Sequence, residues 1–312
     1  MSIGFPWYVV IGDINPENFK KIITTDRSFI WRGYSDESQM LPGAAKYNEY
    51  NEEYKPTEER TNICYPLPEI RRVAKRIYEL NKLEKFPFEI PLLIQKVLFP
   101  TFYQKEDKLF KDLKIREFPD NSLFQAMAIV QHEFMETSLL DFTMNRFKAL
   151  FFAIGKKEET LSKDSYVFGL NVPWFETNKN NLIDENTSSV YKYRDKFDLL
   201  YPSYFMNSRI AHQEGMFLYQ KFKVDENGFI KDKKYLNIIN FFKTYLKNDQ
   251  NNKNHHLFEE IKINDFLELT EKKGEKPIFY FLLKVPASEK MLLKKYLNII
   301  GFTENFMMNT VN

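Results

Sequence analysis

Residues 131 to 153, Gln-His-Glu-Phe-Met-Glu-Thr-Ser-Leu-Leu-Asp-Phe-Thr-Met-Asn-Arg-Phe-Lys-Ala-Leu-Phe-Phe-Ala, set His132, Thr137, Ser138, Asp141, Thr143 and Asn145 within one of the most apolar stretches of the chain. A buried neutral polar group costs roughly 2–7 kcal/mol unless it is hydrogen-bonded, and a charge costs more. The cluster is therefore either a polar network holding two helices together or the wall of a site. The spacing predicts a helix junction. One helix opens at the Ser122-Leu123-Phe124-Gln125 capping box and reaches about Phe134. A second is capped by Asp141 or Thr143 and buries Phe147, Leu150, Phe151 and Ile154.

Working outward, Asn15-Pro16-Glu17-Asn18 predicts a short capped helix through Lys21, and Ser28 to Trp31 a strand ending at Arg32-Gly33. Residues 34 to 60 are polar and Tyr-rich, as expected of a surface excursion. From Pro68, Ile70, Val73, Ala74, Ile77 and Leu80 recur at one-turn spacing, with Arg71, Arg72, Lys75 and Arg76 on other faces. A further helical stretch runs from Ile90 to Tyr103, interrupted by Pro100. Beyond Asp164 the pattern turns to strands at Tyr166 to Val172, Met216 to Phe222 and Pro277 to Val285. Lys247 to His256 reads as a loop, with His255-His256 exposed in it. The last helix starts at Ser288, carries Leu292, Leu293, Tyr296, Leu297 and Ile300 on its apolar face, and stops at Gly301.

The chain of 312 residues is 16% aromatic, with 30 Phe and 18 Tyr but only 10 Gly, which argues against a propeller, a collagen-like segment or a long flexible linker. Lys plus Arg number 45 and Asp plus Glu 43, so no global charge drives the chain toward nucleic acid or membrane. Cys64 is the sole cysteine, which excludes an intrachain disulfide and a cysteine-rich zinc site; beside Tyr65-Pro66 it reads as a packed thiol. No secretory leader or membrane span is evident, so a cytoplasmic location with no membrane partner is expected. No Walker-type loop, His-Glu-x-x-His or zinc spacing is present, and no metal is expected. The fold class expected is α+β: a mixed single domain over residues 1–312, with a small, mainly antiparallel sheet. A mostly helical segment, residues 60–135, is inserted after the first strand.

Three segments, Trp31-Arg32-Gly33, Gln131 to Ala153, and Ser208 to Phe217, occur in an order that resembles the FRG domain, a bacterial family named for an aromatic-Arg-Gly motif. The resemblance spans most of the chain. Leu41-Pro42 echoes the family's Leu-x-Pro element. The central motif is kept at Gln131-His132, Thr137, Leu139 to Thr143, Asn145 and Phe152-Ala153. The third is complete at Arg209, Ile210, Gln213, Gly215 and Phe217. The chain departs from the pattern at Phe134-Met135-Glu136-Thr137-Ser138, where the family has Gly-x-Pro-Thr-Arg, so Ser138 replaces an arginine.

The order of parts is also similar to that of ADP-ribosyltransferases. In those enzymes an arginine grips the dinucleotide, a hydroxyl orients the nicotinamide ribose, and an acidic residue steadies the developing oxocarbenium ion. The resemblance implies catalytic roles for Arg32, His132, Gln213 and Glu214, and ligand contacts from Trp31, Gly33, Thr137, Asp141, Thr143 and Arg209. The Glu-x-Glu spacing of those enzymes is absent from Gln213-Glu214-Gly215. Each residue has a structural reading beside the functional one. Arg32 and Arg209 can hold a phosphate or pair with a carboxylate such as Asp141. His132, near a helix end, can be an acid or a satisfied structural histidine. Asp141, Thr143 and Asn145 can be caps.

The functional expectation is an NAD-using, ADP-ribosyltransferase-like or NAD-cleaving effector in phage defence or a toxin–antitoxin system. NAD is its substrate, a protein or nucleic acid its acceptor, and an antitoxin or defence protein its partner. The alternative is a non-catalytic nucleotide-, nucleic-acid- or protein-binding module, to which the basic helix from Arg71 to Arg76 would contribute.

Overall fold

The computed structural model describes residues 7–22, 29–42, 73, 76, 127–131, 137–155, 161–172, 197–200, 208–220, 237–240, 243, 258–273 and 277–303. Eight strands form one sheet: β1 (Trp7–Asp13), β2 (Phe29–Tyr34), β3 (Leu139–Thr143), β4 (Ser165–Asn171), β5 (Phe197–Leu200), β6 (Gly215–Gln220), β7 (Phe258–Lys262) and β8 (Ile278–Val285). Their order across the sheet is β5-β6-β3-β2-β4-β8-β1-β7. β1 runs parallel to both β7 and β8, and every other pairing is antiparallel. The α+β class and the mainly antiparallel sheet agree with expectation.

The sheet extends further than the small one expected, and its first strand lies earlier. Trp7–Asp13 precedes the aromatic-Arg-Gly strand, so residues 60–135 follow the second strand instead of the first. Within that segment Val73, Arg76 and residues 127–131 are helical. The capping box at Ser122, the stretch from Ile90 to Tyr103, the loop from Lys247 to His256 and Cys64 lie outside the described residues.

Side-chain alternation divides the core in two. One face of the sheet carries Tyr8, Val10, Phe29, Trp31, Val167, Phe281 and Leu283, and among the described residues four helices pack on it. These are α1 (Pro16–Lys21), α2 (Arg146–Ile154), α4 (Ile263–Lys273) and α5 (Lys290–Ile299). A shorter helix, α3 (Ser208–Gln213), leads into β6. The opposite face carries Val9, Ile30, Tyr34, Leu140, Phe142, Phe168 and Tyr280, covered in part by Met40, Ile238 and Ile239. Strands covered on both faces need apolar residues at nearly every position, which is why Gly-Met-Phe-Leu-Tyr-Gln of β6 is buried throughout. At the edge, Glu259, Glu260 and Lys262 of β7 face solvent or its margin, and charges there discourage pairing with another chain.

Three local readings are corrected. Leu139–Thr143, expected as the junction of two helices, is β3, because Leu140 and Phe142 alternate with Asp141 across a sheet position between β2 and β6. Of the three candidate caps of α2, Asp141, Thr143 and Asn145, it is Asn145 that serves, its side chain accepting from the Phe147 amide at 3.0 Å. The last helix begins after a 3-10 turn at Ala287–Glu289 and buries Lys290, Leu293 and Leu297, while Leu292 and Ile300 are exposed. The start of α1 agrees with the sequence reading: Asn15 and Asn18 cap each other's amides reciprocally, both at 2.9 Å.

Two glycines set the spacing between β2 and its neighbours. A Cβ on Gly169 would lie 2.4 Å from Trp31 Cζ3, so the indole lies flat across β4 and stacks on Phe281 with ring centroids 5.2 Å apart. A Cβ on Gly33 would lie 1.8 Å from the Ala149 carbonyl oxygen, because α2 crosses β2 in backbone contact. Unlike a flexible side chain, that carbonyl cannot swing aside without disturbing the helix. We expect Gly33→Ala to lower the unfolding free energy by about 3 kcal/mol in chemical denaturation.

Candidate functional site

The pairing of β2 with β3 is confined to one position. Trp31 stands opposite Thr143, whereas β3 pairs with β6 over five positions and β2 with β4 over six. Past that pair the strands part, and the Arg32 side chain bridges them. Its Nη1 donates to the Asp141 carbonyl at 2.5 Å, and Nε and Nη2 both donate to the Gln39 carbonyl, at 3.1 and 2.7 Å. Gln39 is itself held, since its Oε1 accepts from the Ser35 amide at 2.9 Å in the turn after β2. The Arg32 side chain is 18% exposed, and Nη1 stands 4.0 Å from Asp141 Oδ2. Burial pushes the guanidinium pKa down and the Asp141 carboxylate pushes it back up. The group remains a cation at any physiological pH.

Between the parted strands lies a cleft of about 330 Å³, at the lower edge of the small-molecule range. Of the residues expected at a site, Trp31, Arg32, Gly33, Asp141, Thr143 and Gln213 border it. Trp31 does so with its indole packed away in the core. The glycine of the motif is required by the close approach of α2, a simpler reason than access of a ligand to the backbone. Thr143 Oγ1 donates to the Gln213 carbonyl at 2.6 Å and accepts from the Asn145 amide at 3.1 Å, which ties the end of β3 to the corner between α3 and β6.

Thr137 and Glu214 stand behind the cleft wall. Thr137 is buried and donates to Gln131 Oε1, while Gln131 Nε2 donates to Asp141 Oδ1 at 2.5 Å. Glu214 occupies the corner before β6 with φ 49°, a left-handed conformation uncommon outside glycine. Its Oε1 accepts from Lys148 Nζ at 2.7 Å and from Asn145 Nδ2 at 3.3 Å. Lys148, on α2, is 4% exposed at its side chain and also donates to the His212 carbonyl. Glu214 thus compensates a buried cation and holds α2 against α3. Arg209 lies in α3, its side chain outside the described residues, as is His132.

Reading residue by residue missed Gln39, Gln131, Phe142, Ala149 and Phe152, all of which border the cleft. Gln39 acts on Arg32 through a backbone carbonyl, which leaves no side-chain signature. Gln131, Phe142 and Phe152 belong to the central motif, and only the fold shows that they reach the cleft, Phe152 with 39% of its surface exposed on α2. Among the described residues no group of three or more His, Cys, Asp or Glu is placed to hold a metal, and no helix is long and apolar enough to cross a membrane.

Removing the charge of Glu214 leaves the Lys148 ammonium without its carboxylate partner in a nearly dry position. Because Glu214 is 39% exposed at its side chain, the cost falls between those of surface and buried pairs. We expect Glu214→Gln to lower the unfolding free energy by about 1–2 kcal/mol in chemical denaturation.

Residues 27–161 match the family model of the FRG domain. No curated protein and no solved structure shows a significant match to the chain. The matched span covers β2, β3 and α2, and with them Arg32, Asp141 and the start of the cleft wall, while Gln213 and Glu214 come from the third motif beyond it. The aromatic-Arg-Gly strand, the central polar motif and the family match agree: this chain contains an FRG domain, at residues 27–161.

Proposed function

We propose that the cleft between β2 and β3 binds NAD and that the protein breaks the bond between nicotinamide and ribose, as an ADP-ribosyltransferase-like or NAD-cleaving enzyme. The observation that carries this reading is the meeting of a charged arginine and a half-exposed carboxylate, Arg32 and Asp141, at a cleft of about 330 Å³. A guanidinium has five N–H donors, and three of those of Arg32 go to the carbonyls of Gln39 and Asp141. That leaves two for a phosphate oxygen. The same two carbonyls fix the plane of the guanidinium before a ligand arrives, so little order is lost on binding.

Asp141 is the acidic residue best placed for chemistry, since Glu214 is committed to Lys148. As the C–N bond breaks, its electron pair leaves with nicotinamide and positive charge develops on the ribose. A carboxylate held nearby stabilises that charge, and water or an acceptor nucleophile then attacks the same carbon and loses its proton. Gln213 borders the same cleft, where the ribose would lie. Transfer to a protein or nucleic acid, or simple destruction of NAD, would make the chain a toxic effector, in phage defence or opposite an antitoxin.

A second reading is favoured by one observation: the carboxylate of the third motif is bound up in an ion pair, which leaves the cleft with few groups able to move protons. The protein would then be a module that binds a nucleotide, a nucleic acid or a protein without reaction.

The two part in one assay. Purified protein is incubated with NAD and host extract, and NAD loss and ADP-ribose transfer are followed. The enzymatic reading expects turnover that falls by about 100-fold or more in Asp141→Asn, the size seen when a single charge-stabilising group is removed. Nucleotide binding with no turnover in the wild type establishes the second reading instead.

A further inference from the structure

Asp141 is prepared for a partner that Arg32 does not supply. Its Oδ1 is taken by Gln131, but Oδ2 stands 4.0 Å from Arg32 Nη1, beyond a good hydrogen bond, and accepts from no group among the described residues. The side chain is 49% exposed and borders the cleft. A carboxylate in this state calls for a hydroxyl or amine donor on the ligand.

The orientation of that carboxylate is set from behind. Because an ionised carboxylate only accepts, Gln131 must turn its amide N–H to Asp141 and its Oε1 to Thr137, which is 1% exposed, donates its hydroxyl proton to that oxygen and accepts from the Leu139 amide at 3.2 Å. A run of three side chains thus converts a buried threonine at the start of β3 into a fixed rotamer for a carboxylate on the cleft wall.

We propose that Asp141, positioned by Gln131, accepts a hydroxyl of the ligand's sugar, so that the cleft selects ribonucleotides over their deoxy counterparts. This rests on the reading of the cleft as a nucleotide site. Three groups on the cleft suit the parts of a nucleotide: Arg32 has donors left for a phosphate, Asp141 stands 4.0 Å from it for the sugar, and Phe152, 39% exposed, borders the same cleft and offers a ring to a planar base. A site built to bond a hydroxyl rejects the analogue without it, because its own polar group is then left unpaired. Gln131 is a positioning residue in this scheme.

The test is titration calorimetry with ADP, 2′-deoxy-ADP and 3′-deoxy-ADP. The wild type is expected to bind ADP about tenfold or more tightly than at least one of the deoxy analogues. In Asp141→Asn and in Gln131→Met, which keeps the bulk of the side chain but neither hydrogen bond, that ratio is expected to fall toward one. A ratio between ligands does not depend on the fraction of protein folded, so a merely structural role for Gln131 would leave it unchanged. Equal binding of all three nucleotides by the wild type overturns the proposal, as does a preference that survives in both variants. A wild type that consumes NAD but does not bind ADP overturns it and leaves the NAD reading standing. Ribose selectivity without NAD turnover supports it while removing the enzymatic reading.

Discussion

Where β2 and β3 part, two backbone carbonyls, those of Gln39 and Asp141, are gathered by one guanidinium. An antiparallel ladder would otherwise have continued past Trp31 and Thr143, with amides and carbonyls satisfying one another. Here Arg32 supplies the donors instead, and because its side chain is longer than a ladder hydrogen bond, the strands stand apart. The cleft follows from that substitution. Lysine could not take its place without loss, since a single ammonium does not reproduce a planar fork shared between two carbonyls.

The rest of the domain keeps that opening from closing or spreading. On one side β2 is pinned by α2, which crosses at Gly33 in backbone contact, and by Trp31, whose indole is clamped between Gly169 and Phe281. On the other, β3 is pinned by its full pairing with β6 and by the corner before β6, where Thr143 bonds the Gln213 carbonyl and Glu214 meets Lys148. Lys148 belongs to α2, so the helix that presses on β2 is also tied to the corner that holds β3. Both walls of the cleft therefore refer to one rigid element.

The parts of this arrangement that sequence reveals are those carried by side-chain type and periodicity. The capped start of α1, the aromatic strands β4, β6 and β8, and the apolar face of α2 all follow from residue pattern, and Arg32, Asp141 and Gln213 stand out as polar groups in apolar surroundings. Leu139–Thr143 misled because five residues with a polar centre fit a helix junction as readily as a strand flanked on both sides, and only the neighbouring strands decide. Three of the five residues of β7 are charged, and β1 contains Gly12 and ends in Asp13, so neither announces itself as part of the sheet. The role of Gln39 is carried by its backbone, and that of Glu214 by a lysine far away in sequence. Neither relation is written in local pattern.

We propose that the split between β2 and β3 is a nucleotide site preorganised by Arg32. The most direct measurement is an NMR titration with ADP-ribose that follows the Arg32 Nε–H and the side-chain amide of Gln131. Both signals are expected to shift and saturate with a common affinity, because the phosphate would engage the same guanidinium and the sugar the carboxylate that Gln131 holds. Saturable shifts confined to other parts of the protein, with these two signals unmoved, would contradict it.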